Sequence, residues 1–258
     1  MRSYILSAET FALFSLALAR IGGLVSFAPL LGSSAILPHL RVALALGLTW
    51  VLFPVVGDRL GEIPPSGVAF FLLLLRELLI GFMLGFCSKL LFACLEMAGS
   101  IIGFQMGFSF IQIVDPQTQV ESPFMGIFLN LVGTMLFLAF NGHHWLIQAV
   151  AYSYELNGGQ VISGALVEQM TQSLAQMFIV GFKIAAPLAV AMFLVDVLFG
   201  ILGRAAPQLQ LLVLGLPAKG LVGFALLAAT VYSLVPLVGR HLAGVESELT
   251  AWLGLLKG

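Results

Sequence analysis

Residues 67–111 read GVAFFLLLLRELLIGFMLGFCSKLLFACLEMAGSIIGFQMGFSFI, a stretch without proline whose only charged residues are Arg76, Glu77, Lys89 and Glu96. As a single helix it would be about 67 Å long, roughly twice the ~30 Å hydrocarbon core of a bilayer. Either it folds back on itself with almost no loop, or protein rather than lipid covers much of it. Its charges favour the second arrangement, because ionisable side chains in apolar segments face a protein interior, a partner or a water-filled path. Arg76, Glu77, Lys89 and Glu96 are therefore expected to be buried or paired with partner chains. Lys89 and Glu96 share a helix face, but a relay for ions needs a longer series of such groups.

The remainder of the chain has the same character. Of its 258 residues 60% are hydrophobic and 9% charged, and the mean hydropathy is +1.08. That composition lies outside the soluble range and describes an all-α integral membrane or membrane-assembled protein. With 11 basic and 12 acidic residues the net charge is -1, which offers no footprint for nucleic acid. Cys87 and Cys94 on one helix would place their Cα atoms about 10 Å apart, too far for a disulfide. His39, His143, His144 and His241 are scattered, and neighbouring His143 and His144 are expected on different sides of a helix, so no metal site is anticipated. Without G-x-S-x-G, H-E-x-x-H or Walker A, and with nothing to bring Ser109 to His143 or His144, no catalytic or cofactor-binding residue is assigned.

Apolar segments succeed one another along the chain. Phe11 to Leu31 follows Ser7-Ala8-Glu9-Thr10, which offers an N-cap, and exceeds the apolar region of about 7–15 residues in a signal peptide, so a retained helix is expected. Val42 to Val56 is short and stops at GDRLGEIPPSG. Pro123 to Phe140 leads into NGHHWLIQAVAYSYELNGGQ, whose Trp145, Tyr152 and Tyr154 suit an interface. Gln176 to Gly203 carries Lys183, Pro187 and Asp196, and Leu209 to Gly239 carries Pro217, Lys219 and Pro236. Internal prolines and lone charges describe kinked or broken helices that need protein neighbours. Residues 240–258 place Leu242, Val245, Leu249, Trp252 and Leu256 on one stripe of an amphipathic helix.

Gly81 and Gly85, then Gly99, Gly103 and Gly107, recur at steps of four. Glycine is common here, 28 of 258 residues, so one pair carries little information. Three in register are the pattern that lets another backbone approach a helix closely. Directly after them, GFQMGFSFIQIVDPQTQVESP (103–123) is polar yet holds no Lys or Arg. By its chemistry this run is either an exposed connection or a segment placed at a water-filled cavity.

Three blocks, GSIIGFQMGFSFIQIVDPQTQVESP (99–123), LFLAFNGHHWLI (136–147) and RAAPQLQLLVLGLP (204–217), together with LPHLRVALALGL (37–48), resemble the FliR family of flagellar export-gate proteins, to which an injectisome component is related. Asp115-Pro116, Asn141-Gly142-His143 and Ala206-Pro207-Gln208-Leu209 are the most specific of these, and the likeness covers most of the chain. It implies a single export-gate domain over 1–258: helical hairpins in 1–111, a loop at 112–122, further hairpins in 123–239 and the amphipathic helix 240–258. It further implies a channel-forming subunit of the type III export gate in the bacterial inner membrane, within the flagellar basal body. There it would assemble with FliP-like and FliQ-like subunits and pass unfolded proteins. In that family the loop after the glycine-rich helix is a plug, which transfers to Phe108, Phe110, Ile111, Ile113, Val114 and Asp115. Bulky apolar groups seal a narrow pore by excluding water, while Gln112, Gln117, Thr118 and Gln119 tolerate wetting when it opens. A different class is a secondary transporter with helices broken at Pro187 and Pro217 and a midplane site of Lys183, Asp196 and Lys219.

Overall fold

The computed structural model describes residues 7–29, 32, 36–61, 63–108, 124–155, 164–205, 215–229, 236 and 239. Among them are seven α-helices and one 3-10 turn, and no strand. Helix α1 (Ala8–Phe27) starts where the Ser7 hydroxyl accepts a hydrogen bond from the Thr10 amide at 3.2 Å, capping an otherwise unpaired donor. Helix α2 (Pro38–Val56) begins four residues earlier than its apolar run suggests. Pro38 occupies the first turn, where a missing N–H costs nothing, and His39 to Arg41 join the helix. A 3-10 turn, Gly57–Arg59, follows it.

Helix α3 (Gly67–Gln105) is one unbroken element of 39 residues, about 58 Å long, so the segment does not fold back on itself. It stops short of Ile111 because Gly107 adopts φ +85. The Phe108 amide bonds the Gly103 carbonyl at 3.1 Å and the Gly107 amide bonds that of Phe104 at 3.0 Å. This pair of bonds around a left-handed glycine is a Schellman stop. Helices α4 (Phe124–Ala139) and α5 (Gly142–Ser153) meet at 66°, and Asn141 at the corner has φ 58, a conformation that asparagine tolerates. Helix α6 (Gly164–Ala205) runs for 42 residues, and α7 spans Gly215–Ala229.

Two prolines behave differently from the breaks expected of them. Pro187 lies inside α6 without interrupting it, and Pro217 sits in the first turn of α7, where helices accept proline. The stretch 240–258 lies outside the described residues.

The chain divides into two compact units that do not follow chain order. One combines Met1–Leu91 and Phe137–Leu174 with Leu242–Gly258; the other combines Phe92–Leu136 with Ala175–His241. In the first unit, Leu16, Ile21 and Leu24 of α1 are buried with Ile80 and Leu84 of α3 and Leu146 and Val150 of α5. Here α1 and α3 touch backbone to backbone. A Cβ on Gly23 would lie 2.5 Å from the Leu78 carbonyl oxygen, one on Gly85 would lie 2.8 Å from that of Leu24, and one on Gly81 would collide with the Arg20 carbonyl. Phe14 of α1 packs edge-on against Trp50 and Phe53 of α2, with centroids at 6.4 and 5.5 Å. In the second unit Leu95, Ala98 and Ile102 of α3, Met125 and Leu129 of α4, and Ile184 and Met192 of α6 are buried.

By length and apolar composition α1, α2 with its 3-10 extension, α3 and α6 can each cross a membrane, and the bent pair α4–α5 makes a fifth candidate. Only 22% of the most apolar stretch of α6 and 28% of that of α2 is buried within the chain, against 50% for α3. The outer faces of α6 and α2 are therefore left for lipid or for other proteins.

Candidate functional site

Three polar or aromatic arrangements stand out from this apolar framework. The first is a buried node in the first unit. Arg20, in the second half of α1, is 3% exposed, and its Nε donates to Glu77 Oε2 of α3 at 2.6 Å. Its Nη1 donates to the Ser153 hydroxyl at 2.9 Å, and its guanidinium carbon sits 3.9 Å above the centre of the Tyr154 ring. The Tyr154 hydroxyl, just beyond α5, donates to the Ala17 carbonyl at 3.3 Å. Burial raises the Tyr154 pKa above the ordinary phenol value, with the Arg20 charge pulling the other way, so the phenol is a neutral donor. One residue on, Glu155 accepts from Arg59 Nη1 at 2.6 Å on the surface. Three consecutive residues, Ser153, Tyr154 and Glu155, thus tie the end of α5 to α1 and to the turn after α2. Closed to solvent, the node ties α1, α3 and the end of α5 together.

The sequence reading did not single out Arg20, for which the available signal is a lone arginine in an apolar run. Ser153 and Glu155 carry no local signal, and Tyr154, expected at an interface, is instead buried inside the chain. The imidazoles of His143 and His144 also depart from expectation. At the start of α5 they lie 4.3 Å apart, centre to centre, and do not point to opposite sides. Among the described residues no three His, Cys, Asp or Glu side chains converge as a metal would require. Cys87 and Cys94 are both buried and are not joined to each other.

The second arrangement is an ion pair in the second unit between Asp196 of α6 and Lys219 of α7. Lys183 lies thirteen residues before Asp196 on the same helix, about 20 Å away, and is exposed. The three groups proposed as a transporter site therefore do not meet.

The third surrounds the point where α3 ends. Phe108 lies edge-on against Phe124, the first residue of α4, and against Phe224 of α7, with centroids 6.0 Å apart in both cases. The rings of Phe108 and Phe124, the last described residue of one stretch and the first of the next, are thus in contact. Of the plug residues transferred by resemblance, Phe108 belongs to this aromatic base, and Phe110, Ile111, Ile113, Val114 and Asp115 lie outside the described residues.

The glycine triplet divides into three roles. The backbone of Gly126 in α4 lies so close to Gly99 that an added Cβ would stand 2.5 Å from the Met125 carbonyl oxygen. Gly103 has ordinary room, with the Met125 Cβ at 3.5 Å, and Gly107 ends the helix. The charges of α3 differ equally. Glu77 is buried on Arg20, Arg76 is half-buried, Lys89 is exposed with its ammonium 5.7 Å above the Phe27 ring, and Glu96 is exposed.

Residues 11–245 match the sequence profile of the bacterial export proteins, family 1. The chain belongs to this family. As a family 1 export protein it is 31% identical over 234 residues to the flagellar biosynthetic protein FliR of Escherichia coli, covering 90% of this chain and 87% of the relative. To FliR of Bacillus subtilis it is 32% identical over 248 residues, 93% of each chain. It is also similar, at 25% identity over 221 residues, to the surface presentation of antigens protein SpaR of Shigella sonnei, covering 83% of this chain and 84% of the relative. The buried Arg20 node, the aromatic base and the long apolar helices, apart from the first three residues of α1, lie within the matched residues of this export protein.

Proposed function

We propose that this chain is a channel-forming subunit of a flagellar type III export gate, which passes unfolded flagellar proteins across the bacterial inner membrane. The observation that carries this reading is the likeness to proteins named FliR along nine-tenths of the chain. The lower identity to SpaR favours the flagellar over the injectisome assignment. The poorly buried outer faces of α2 and α6 leave room for FliP-like and FliQ-like partners in the basal body beside lipid. Within this reading Phe110, Ile111, Ile113, Val114 and Asp115 close the lumen, and Phe108 anchors the closing segment at its base.

The test is to replace residues 111–119 with a short Gly/Ser linker and to measure membrane leakage together with recovery of the complex. The expected outcome is an intact complex that leaks ions or small solutes. An intact complex as tight as the unaltered one makes the segment a simple connector. Loss of the complex makes it a structural tie.

A further inference from the structure

Beyond its mid-point α3 has two unlike faces. Leu95, Ala98, Gly99 and Ile102 are buried in the second unit, whereas Glu96, Ser100 and Phe104, four residues apart and so on one line along the helix, are exposed. Phe104 is 69% exposed. The Ser100 hydroxyl donates to the Glu96 carbonyl at 3.0 Å and is satisfied on its own helix. The Glu96 carboxylate has no hydrogen bond and no ion pair among the described residues. Next to this part of α3, where Gly126 lies against Gly99, α4 exposes Ile127, Leu131 and Met135, again four residues apart.

Such a line suits neither solvent. A carboxylate facing hydrocarbon is costly. An exposed phenylalanine with further apolar residues nearby marks a surface that proteins cover. We propose that an apolar helix of a partner chain seats on the Glu96–Ser100–Phe104 line, with a lysine or arginine opposite Glu96 and small residues about two turns, ~12 Å, further on to admit the Phe104 ring. The sign of the uncompensated group fixes the sign of the occupant: an anion calls for a cation. A second copy of this chain docked through the same line sets Glu96 against Glu96 in a parallel two-fold dimer and against Phe104 in an antiparallel one, and in neither case against a cation. The proposal rests on the channel-subunit reading and deepens it by naming the face and the partner chemistry.

The experiment places photoreactive benzoyl-phenylalanine at Ser100 or at Phe104 in the full chain, produced with the other export genes and irradiated in the membrane. Adducts are isolated through a tag on this chain and their peptides sequenced. The expected adduct joins a different polypeptide, at an apolar stretch with Lys or Arg about two turns from the point attached at Phe104. Glu96→Lys lowers the Ser100 adduct about tenfold and Glu96→Gln lowers it less, while the amount of chain in the membrane is unchanged. Attachment to lipid or to this chain's own peptides overturns the proposal. So does a partner peptide without a basic residue, or an adduct yield indifferent to Glu96→Lys. If partners accompany the tagged chain but never attach at this line, only the face is misassigned; if no other polypeptide accompanies it, the channel-subunit reading falls too.

Discussion

The Arg20 guanidinium meets a carboxylate, a hydroxyl and a ring at once, in a place where none of them can fall back on water. A buried ion pair of this kind adds little net stability compared with apolar residues of similar bulk, but removing one member strands the other. Arg20→Ala is therefore expected to cost about 3–5 kcal/mol, because Glu77 stays buried without its cation. Replacing both, Arg20→Met with Glu77→Met, is expected to recover most of that loss. Thermal unfolding of the purified complex checks the pair of variants. A double variant as damaged as Arg20→Ala would show that the node contributes through more than its charges.

At the scale of elements, helix contact is set by which glycines the neighbouring backbone touches. Gly81→Ala drives a methyl into the Arg20 carbonyl, and overpacking of this sort costs about 1–3 kcal/mol. Gly103→Ala finds ordinary contact with Met125 and is expected to be neutral, or to stabilise by up to about 1 kcal/mol through helix propensity. Melting temperatures of the two variants, moving in opposite directions or with Gly103→Ala unmoved, are the readout. The aromatic base gives a further prediction. Phe224→Ala removes one of the two rings against Phe108, a pair worth about 0.5–1.5 kcal/mol. It should widen the distance distribution between spin labels at Gln105 and Ile127, whereas Phe224→Leu should widen it less. The existence of α3 and its excessive length were legible from composition and the lack of proline. Its end was not, because glycines at steps of four serve equally as a packing stripe and, at Gly107, as a stop. The partners of Arg20 were likewise not legible, since Glu77 and Ser153 lie 57 and 133 residues away.

For the whole molecule the deciding quantity is how much apolar surface the chain leaves uncovered. With only 22% of its most apolar stretch buried, α6 cannot be satisfied by this chain alone. Produced without FliP-like and FliQ-like proteins, the chain is expected to be degraded faster and to aggregate on extraction; produced with them it should persist. Pulse-chase turnover in membranes measures this, and equal lifetimes in both cases would count against obligate assembly. The tie at the end of α5 also carries a consequence for synthesis. Glu77 reaches Arg20 once the first three helices exist, but Ser153 and Tyr154 emerge from the ribosome about 76 residues later, a delay of about 4–15 s at typical elongation rates. During those seconds the nascent chain holds a guanidinium with part of its donors unanswered, and the insertion machinery or a chaperone at the membrane must shelter it until translation delivers its remaining partners.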